Sequence, residues 1–552
     1  MEKADEFLVR ARYLQRTKIY KSEANGVTII LNGEICGNIT IEQLAEKYRN
    51  QGCTFALGLD GYFLILIIDR FERKVVVATD RLGSKPVYIT QKSEKIILST
   101  SLGFLYQYGV KLDPFGLAWY LSNGVPHNNR TLFEGVRKLN YATSCEIKNN
   151  RMNDQAYWKY EFTYEYAGKS QRELKRELSE LLVAGVRRKA SPKRPIVLSL
   201  SVGYDVAGVL AVMGKSLGLK NIHTFSYGLN DPEDLSDPFL ARQLAEKYGC
   251  THSFLLSYNG DMCDAIEVNA GWWDGTSNFC DEAQAWVALE KVYAGLQYPL
   301  YTGDESFGWT NANMNSIEDV LKICLLSDFN NLDWFKKNLS KYRYDLLKEG
   351  LAEDISAVIR HCPNTKNLSD TRDFLYFDQR KFNVIEPWRE NYAGRIFDVQ
   401  VPFTDNNIID FMKKIPDYWR NGKRLYRETI AEMFPDDFAL PRAKVGGYTP
   451  NWRTEFQRHR EVIARKYIWN GTSTLLDDYI PPGTMIKLIE MQENSYRPML
   501  PLIEKVRPIS IRVVSKLLKP KEQVSSTLLL QRCLVLRRYL ELLEENYAKG
   551  FH

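Results

Sequence analysis

Between residues 196 and 301, short runs of β-branched and aromatic side chains alternate with amphipathic stretches, and few architectures accommodate that order. "IVLSL" (196–200), "HTFSYG" (223–228), "SFLLS" (253–257) and "YPLY" (298–301) read as strands, with a helix from about Asp237 to Tyr248. Strands separated by helices predict right-handed crossovers and a parallel, doubly wound sheet. Ligands bind beyond the carboxyl ends of the strands in such a sheet. Two of those ends are polar. Ser201-Val202-Gly203-Tyr204-Asp205 follows the first strand and leads into a helix-like run, whose N-terminal amides and dipole favour an anion. "YTGDESFG", Tyr301 to Gly308, follows the last strand. A carboxylate beside a phosphate cradle suits magnesium, and Asp205 with Asp304 is the expected metal-binding pair.

The segment before this alternation is of another kind. "GVTIILNGEI" (26–35), "GYFLILIID" (61–69), "KVVVATD" (74–80) and "KPVYIT" (85–90) are strand-like runs separated by turn residues. The character changes near 160–170, and from there Leu174, Leu178, Leu181, Leu182 and Val186 recur at helical spacing. Domains are therefore expected at 1–165 and 166–552, as a chain of 552 residues is too long for one ordinary core. Beyond about 310 the pattern is helical, and the Lys- and Arg-rich last hundred residues read as a solvated helical face or a weak hold on a peptide.

Composition narrows the class. Hydrophobic content of 44% and charged content of 26% are those of a globular protein. A net charge of +6 over this length gives no reason to expect nucleic acid. Nine cysteines without a C-x-x-C pair point to a reducing compartment. The N-terminus lacks a signal-peptide core, and "YFLILII" (62–68) is too short to span a bilayer. The expected location is the cytoplasm.

Taken together, the ordered motifs resemble the asparagine synthetase family. Ser201–Ala207 stands where that family carries the pyrophosphate loop S-G-G-x-D-S-S, and "TGDESFG" is similar to its G-A-D-E-L-F-G. Further matches follow in order: "LNGEI" (31–35), "DGYF" (60–63), "DRLGSKPVYI" (80–89), "TLFEGVRKL" (131–139), "DVQVPFTD" (398–405), "KRLYRE" (423–428) and "PRAKVGGY" (441–448). The resemblance implies an α/β protein: a glutaminase-like (Ntn-type) β-sandwich, then a doubly wound synthetase domain with added helices. It implies ATP and magnesium, activation of a carboxylate as an acyl-adenylate, and attack by an amine. On the matching positions it implies that Ser201, Gly203, Asp205, Gly303 and Lys423 bind the nucleotide. Lys444 would stabilise charge as the adenylate forms and breaks down, and Arg427 would brace its helix.

The departures from the family are as informative. Glutamine-hydrolysing members need a cysteine after the initiator Met; here the second residue is Glu2 and the first cysteine is Cys36. The first domain is then expected to be a scaffold or a docking surface, with Asn32 and Gly33 as relics of a glutamine pocket. The acceptor shifts from ammonia to an amine carried by the substrate. Lasso-peptide macrolactam cyclases and β-lactam synthetases resemble the chain in this respect, and the latter place a tyrosine where Tyr301 stands. Tyr301, with Asp333 as its carboxylate partner, would deprotonate the amine. The preferred reading is macrolactam closure of a lasso precursor peptide, with a leader-peptide-binding protein and a protease as further partners. Cyclisation of a small amino acid and a catalytically silent scaffold are the alternatives. Val202 motivates the last, because a β-branched residue cannot hold positive φ cheaply and its amide is expected to point elsewhere. Val206 and Ala207 also replace hydroxyl donors worth about 1.5–3 kcal/mol each to a charged group.

Incubation with glutamine is expected to release no ammonia. Release at an ordinary enzymatic rate would contradict the scaffold reading of the first domain.

Overall fold

A computed structural model describes residues 2–4, 7–9 and 17–548, except 24–25, 38, 191–193, 231–235, 297, 310–313, 326–332, 364–366, 440–442, 444–446 and 495–525. The N-terminal part is a sandwich. Strands β1 (Thr17–Ser22), β2 (Val27–Ile35), β3 (Gly61–Asp69), β4 (Lys74–Thr79), β8 (Thr143–Lys148) and β9 (Arg151–Ala156) form an antiparallel sheet in the order β9-β8-β4-β3-β2-β1. Strands β5 (Tyr88–Lys92), β6 (Lys95–Ser99) and β7 (Val136–Lys138) form a second sheet in the order β6-β5-β7. Why β3 is an unbroken apolar run follows from its two faces. Phe63, Ile65 and Ile67 pack with Leu44, Ala45 and Tyr48 of helix α1 (Ile41–Gln51). Leu64 and Ile68 face Val87 and Ile89 of the second sheet. A strand buried on both sides loses its alternation.

The second sheet system is parallel throughout. Strands β10 (Ile196–Ser199), β11 (Ile222–Gly228), β12 (Thr251–Leu256), β13 (Pro299–Tyr301) and β14 (Asp398–Gln400) lie in the order β12-β11-β10-β13-β14. Ile196 and Leu198 pack against helix α3 (Gln171–Lys189), and Val197 packs on the other face with Trp286 and Phe397. The expected doubly wound architecture is present, with "DVQ" of β14 as an edge strand that the sequence pattern does not reveal. Between β10 and β12 run α4 (Tyr204–Ala211) and α5 (Asp237–Lys247). Downstream, α6 (Arg424–Met433) packs its Leu425, Tyr426 and Ile430 into the core on the α3 side. Among the described residues no helix is long and apolar enough to cross a membrane.

The two sheet systems are joined by polar contacts. The Tyr62 hydroxyl donates to the Val401 carbonyl at 2.5 Å, and Arg194 pairs with both Glu34 and Asp398, at 3.2 and 3.0 Å. Lys189, with its side chain wholly buried, brings its ammonium to 3.6 Å from Asp60 and 3.5 Å from the Cys36 sulfur, over the Tyr62 ring. Gly33 has a local reason to be glycine: its φ is +96°, and a Cβ there would meet the Tyr62 carbonyl oxygen at 2.1 Å.

In the basic C-terminal region, helix α7 (Ser526–Ala548) is not a solvated face. Arg537 is fully buried and donates to the Tyr467 carbonyl at 2.5 Å. Arg532 donates to the carbonyls of Leu121 and Ser122, at 2.7 and 2.8 Å, near the end of the helix Pro114–Asn123. Those carbonyls have no partner inside their own helix, so the guanidinium satisfies them.

Arg420 ties the helical part to the parallel sheet. Wholly buried, it donates to Asp373 at 2.9 Å, to the Ile415 carbonyl at 2.6 Å and to Asp370. Replacing it with Met removes one cation from two buried carboxylates, leaving Asp373 to Arg372 and Asp370 to the Tyr164 hydroxyl. Arg420→Met is expected to lower unfolding free energy by about 3–5 kcal/mol, read as a shift in denaturant midpoint; a shift inside experimental error would contradict this.

Candidate functional site

At the carboxyl end of β10 the chain turns through Ser201–Gly203 into α4. Its N-cap, Gly203, supplies no side-chain hydrogen bond, so the N-terminus of α4 carries no side-chain cap. The Gly203 N–H donates to the Ser201 hydroxyl at 3.3 Å. A Cβ at Gly203 would meet nothing nearer than that hydroxyl, at 3.4 Å, and the glycine is exposed. The cradle therefore opens directly to solvent.

Val202 is absent from the residues with positive φ, so the loop forms without a glycine there. Its N–H donates to the Asp237 carboxylate at 3.1 Å. A carboxylate from the start of α5 thus receives this amide. Burial raises the pKa of Asp237, and the Val202 N–H opposes that rise.

The loop after β13 rides on α4. A Cβ at Gly303 would lie 2.4 Å from the Val206 nitrogen, so only glycine permits the approach. Gly308, at φ +104°, allows the Arg420 carbonyl to pass where a Cβ would lie 2.3 Å from it. Farther along, the Gly422 N–H donates to the Trp309 carbonyl at 2.8 Å. Phe307 stacks on Tyr426 at 3.9 Å, and the Tyr426 hydroxyl donates to the Tyr204 carbonyl at 2.7 Å. These contacts bring Lys423 to the two loops.

Lys423 bridges them. Its ammonium lies 2.7 Å from Asp205 and 2.8 Å from Glu305, and its backbone sits at φ +56°. A left-handed lysine costs about 1–2 kcal/mol and persists only where the surroundings over-determine it. Asp205 is raised to about 6 by burial first and by the Glu305 charge second, with Lys423 opposing both. Its Oδ1 is buried without a hydrogen-bond partner among the described residues. The acidic partner of Asp205 is thus Glu305, not Asp304 as the sequence suggests.

Asp304 is engaged otherwise. Arg389 donates to its Oδ2 at 2.7 Å and its Oδ1 at 3.2 Å, and the Thr302 hydroxyl donates to Oδ2 at 3.0 Å. Burial alone would raise its pKa; the Arg389 guanidinium overrides that and holds it at about 2. Neither Arg389 nor Asp237 carries a sequence signal, since the partners lie 85 and 35 residues away.

Tyr301 is corrected by the structure. It is 1% exposed, and its hydroxyl donates to the Lys189 carbonyl at 2.9 Å, inside the core shared with α3. A phenol so placed is a packing residue with a satisfied hydroxyl. Asp333 opens the helix Asp333–Asn338, but its side chain and the whole of Lys444 lie outside the described residues.

The donor set suits an anion with a cation beside it. An uncapped helix N-terminus, the space at Gly203 and the Lys423 ammonium fit a phosphate chain. Asp205, with one orphaned oxygen, fits a cation held by one carboxylate and phosphate oxygens. Asp304 is instead paired with the Arg389 guanidinium, which already neutralises its charge. Among the described residues no group of three or more His, Cys, Asp or Glu side chains is arranged for a metal ion.

Comparison with known proteins accords with this geometry. Residues 32–158 match the family described as glutamine amidotransferase domain, and residues 177–474 match the family described as asparagine synthase. The chain is 23% identical to asparagine synthetase [glutamine-hydrolyzing] 3 of Bacillus subtilis over 85% of its own length and 83% of that protein. It is 20% identical to asparagine synthetase [glutamine-hydrolyzing] 2 of the same organism, over 72% of this chain and 58% of that one. Amidase chry2 of Gibberella zeae is 24% identical over 35% of this chain and 32% of that protein.

The Asp304–Arg389 pair makes a pH-dependent contribution. Because the carboxyl titrates at about 2 when folded, its stabilisation is present above the unfolded pKa and lost as pH falls through the folded one. Asp304→Asn is expected to be less stable than the parent by about 2 kcal/mol near neutrality. That difference should close as pH falls from about 4 toward 2. A gap that stays constant over this range contradicts the pairing.

Proposed function

The chain belongs to the asparagine synthase family of ATP-dependent amide ligases, and on that premise we propose that it closes a macrolactam in a precursor peptide. The observation that carries the reading is the uncapped N-terminus of α4 beside Lys423, at the adjoining ends of β10 and β13. ATP supplies the activating group there, turning the substrate carboxylate into an acyl-adenylate. The residues of this chain then have distinct tasks. The α4 amides and the Ser201 hydroxyl orient the phosphates. Lys423 offsets their charge, and Asp205 holds the cation that accompanies them. Lys444 stabilises charge at the reacting phosphorus and carbon.

Two features support an amine brought by the substrate. Lys189 is buried beside Asp60 and Tyr62 at the seam with the sandwich, which suits a sandwich that acts as a scaffold. The cradle at Gly203 opens to solvent, so a substrate as large as a peptide can approach the nucleotide phosphates. We place a leader-peptide-binding protein and a protease beside it as partners, with cyclisation of a small amino acid as the nearest alternative. A second reading, a silent scaffold subunit, is favoured by one observation: the Asp237 carboxylate already receives the Val202 amide.

The test is pyrophosphate release and loss of one water from a precursor peptide, followed by mass spectrometry. Lys444→Met is expected to slow product formation by a barrier of about 3–4 kcal/mol. Tyr301→Phe is expected to leave product formation intact, at a stability cost of about 1 kcal/mol for one lost hydrogen bond. Product without Lys444 would remove that residue from the site, and loss of product in Tyr301→Phe would restore the phenol as base. Absence of pyrophosphate release with every peptide offered would favour the scaffold.

A further inference from the structure

Asp304 and Asp205 stand at the ends of adjacent parallel strands, yet they are neutralised differently. Both oxygens of Asp304 accept from Arg389, in a bidentate pair, and Thr302 adds a third donor. The guanidinium is itself fixed: its carbon lies 4.6 Å from the centre of the Trp388 ring, on the face of a planar aromatic. Asp205 shares one lysine with Glu305, which leaves two carboxylates to one ammonium and one oxygen of Asp205 orphaned. The Asp205–Glu305 pair has room for positive charge, whereas Asp304 is already balanced.

We propose that Arg389 takes the place of a divalent cation at Asp304, so that this ligase holds a metal–nucleotide through the single carboxylate of Asp205. A cation bridging both aspartates would have to displace a planar, bidentate arginine and then sit against it, charge to charge, where little water screens the two. Magnesium needs no second carboxylate, because it commonly keeps waters and phosphate oxygens as its remaining ligands. Arg389 therefore sets how many acidic ligands the site offers and is a positioning residue for the loop 301–308. The inference rests on the reading of the cradle as a nucleotide site.

Manganese, titrated by electron paramagnetic resonance with and without ATP, tests it on the full chain. Asp304→Asn should bind manganese with ATP as the parent does, and Asp205→Asn should lose at least about 10-fold in affinity. Arg389→Gln, which frees Asp304, should bind manganese about 10-fold more tightly, and the gain should vanish when Asp304→Asn is added. Should Asp304→Asn fail to fold, Arg389→Gln carries the test alone. A folded Asp304→Asn that loses manganese as Asp205→Asn does overturns the proposal, and so does an Arg389→Gln with unchanged affinity. If the parent binds neither ATP nor manganese while Arg389→Gln gains the metal, the nucleotide reading falls and the substitution of arginine for a cation stands.

Discussion

One ammonium holds the candidate site together. Lys423 touches Asp205 on the first loop and Glu305 on the second, and it reaches them only because its backbone occupies the left-handed region. That conformation is imposed from both sides. Upstream, the Arg420 carbonyl lies against Gly308, and the Gly422 amide donates to Trp309. Downstream, Tyr426 ties α6 to the start of α4 and to Phe307. Two strand ends that alternation alone would leave as separate loops become one polar surface.

The charges around that surface are largely settled within the chain. Asp304 belongs to Arg389, the Val202 amide belongs to Asp237, and Lys189 is paired with Asp60 of the sandwich. What remains open is the exposed Gly203 at the start of α4 and one oxygen of Asp205. An anion with a cation beside it matches that remainder. The same economy explains the valines: with Asp237 on its amide, position 202 has no need of glycine, and Val206 fills the space that Gly303 leaves above it.

Much of the architecture was legible in the sequence, for local reasons. The parallel sheet follows from strands punctuated by helices, and both polar strand ends were visible as turn residues after apolar runs. Ser201, Gly203, Asp205, Gly303 and Lys423 gather at one surface, as their motifs suggest. What was hidden depends on long-range contacts. Arg389 reaches Asp304 from 85 residues away, and nothing around "EPWREN" distinguishes a guanidinium that pairs from one that is solvated. Tyr301 misleads for the opposite reason: its position in the motif suggests a base, but its side chain falls on the core face of β13 and its hydroxyl meets a carbonyl. The basic C-terminus misleads likewise, since Arg532 and Arg537 are anchored to backbone carbonyls of neighbouring elements.

The central claim is that the ends of β10 and β13 form one nucleotide site coupled through Lys423. Calorimetric titration of magnesium–ATP into the parent and into Lys423→Met measures that coupling directly. The account predicts saturable binding by the parent and a loss of at least about 10-fold on removing the ammonium. Equal affinity in both proteins, or no binding by the parent at millimolar nucleotide, would contradict it.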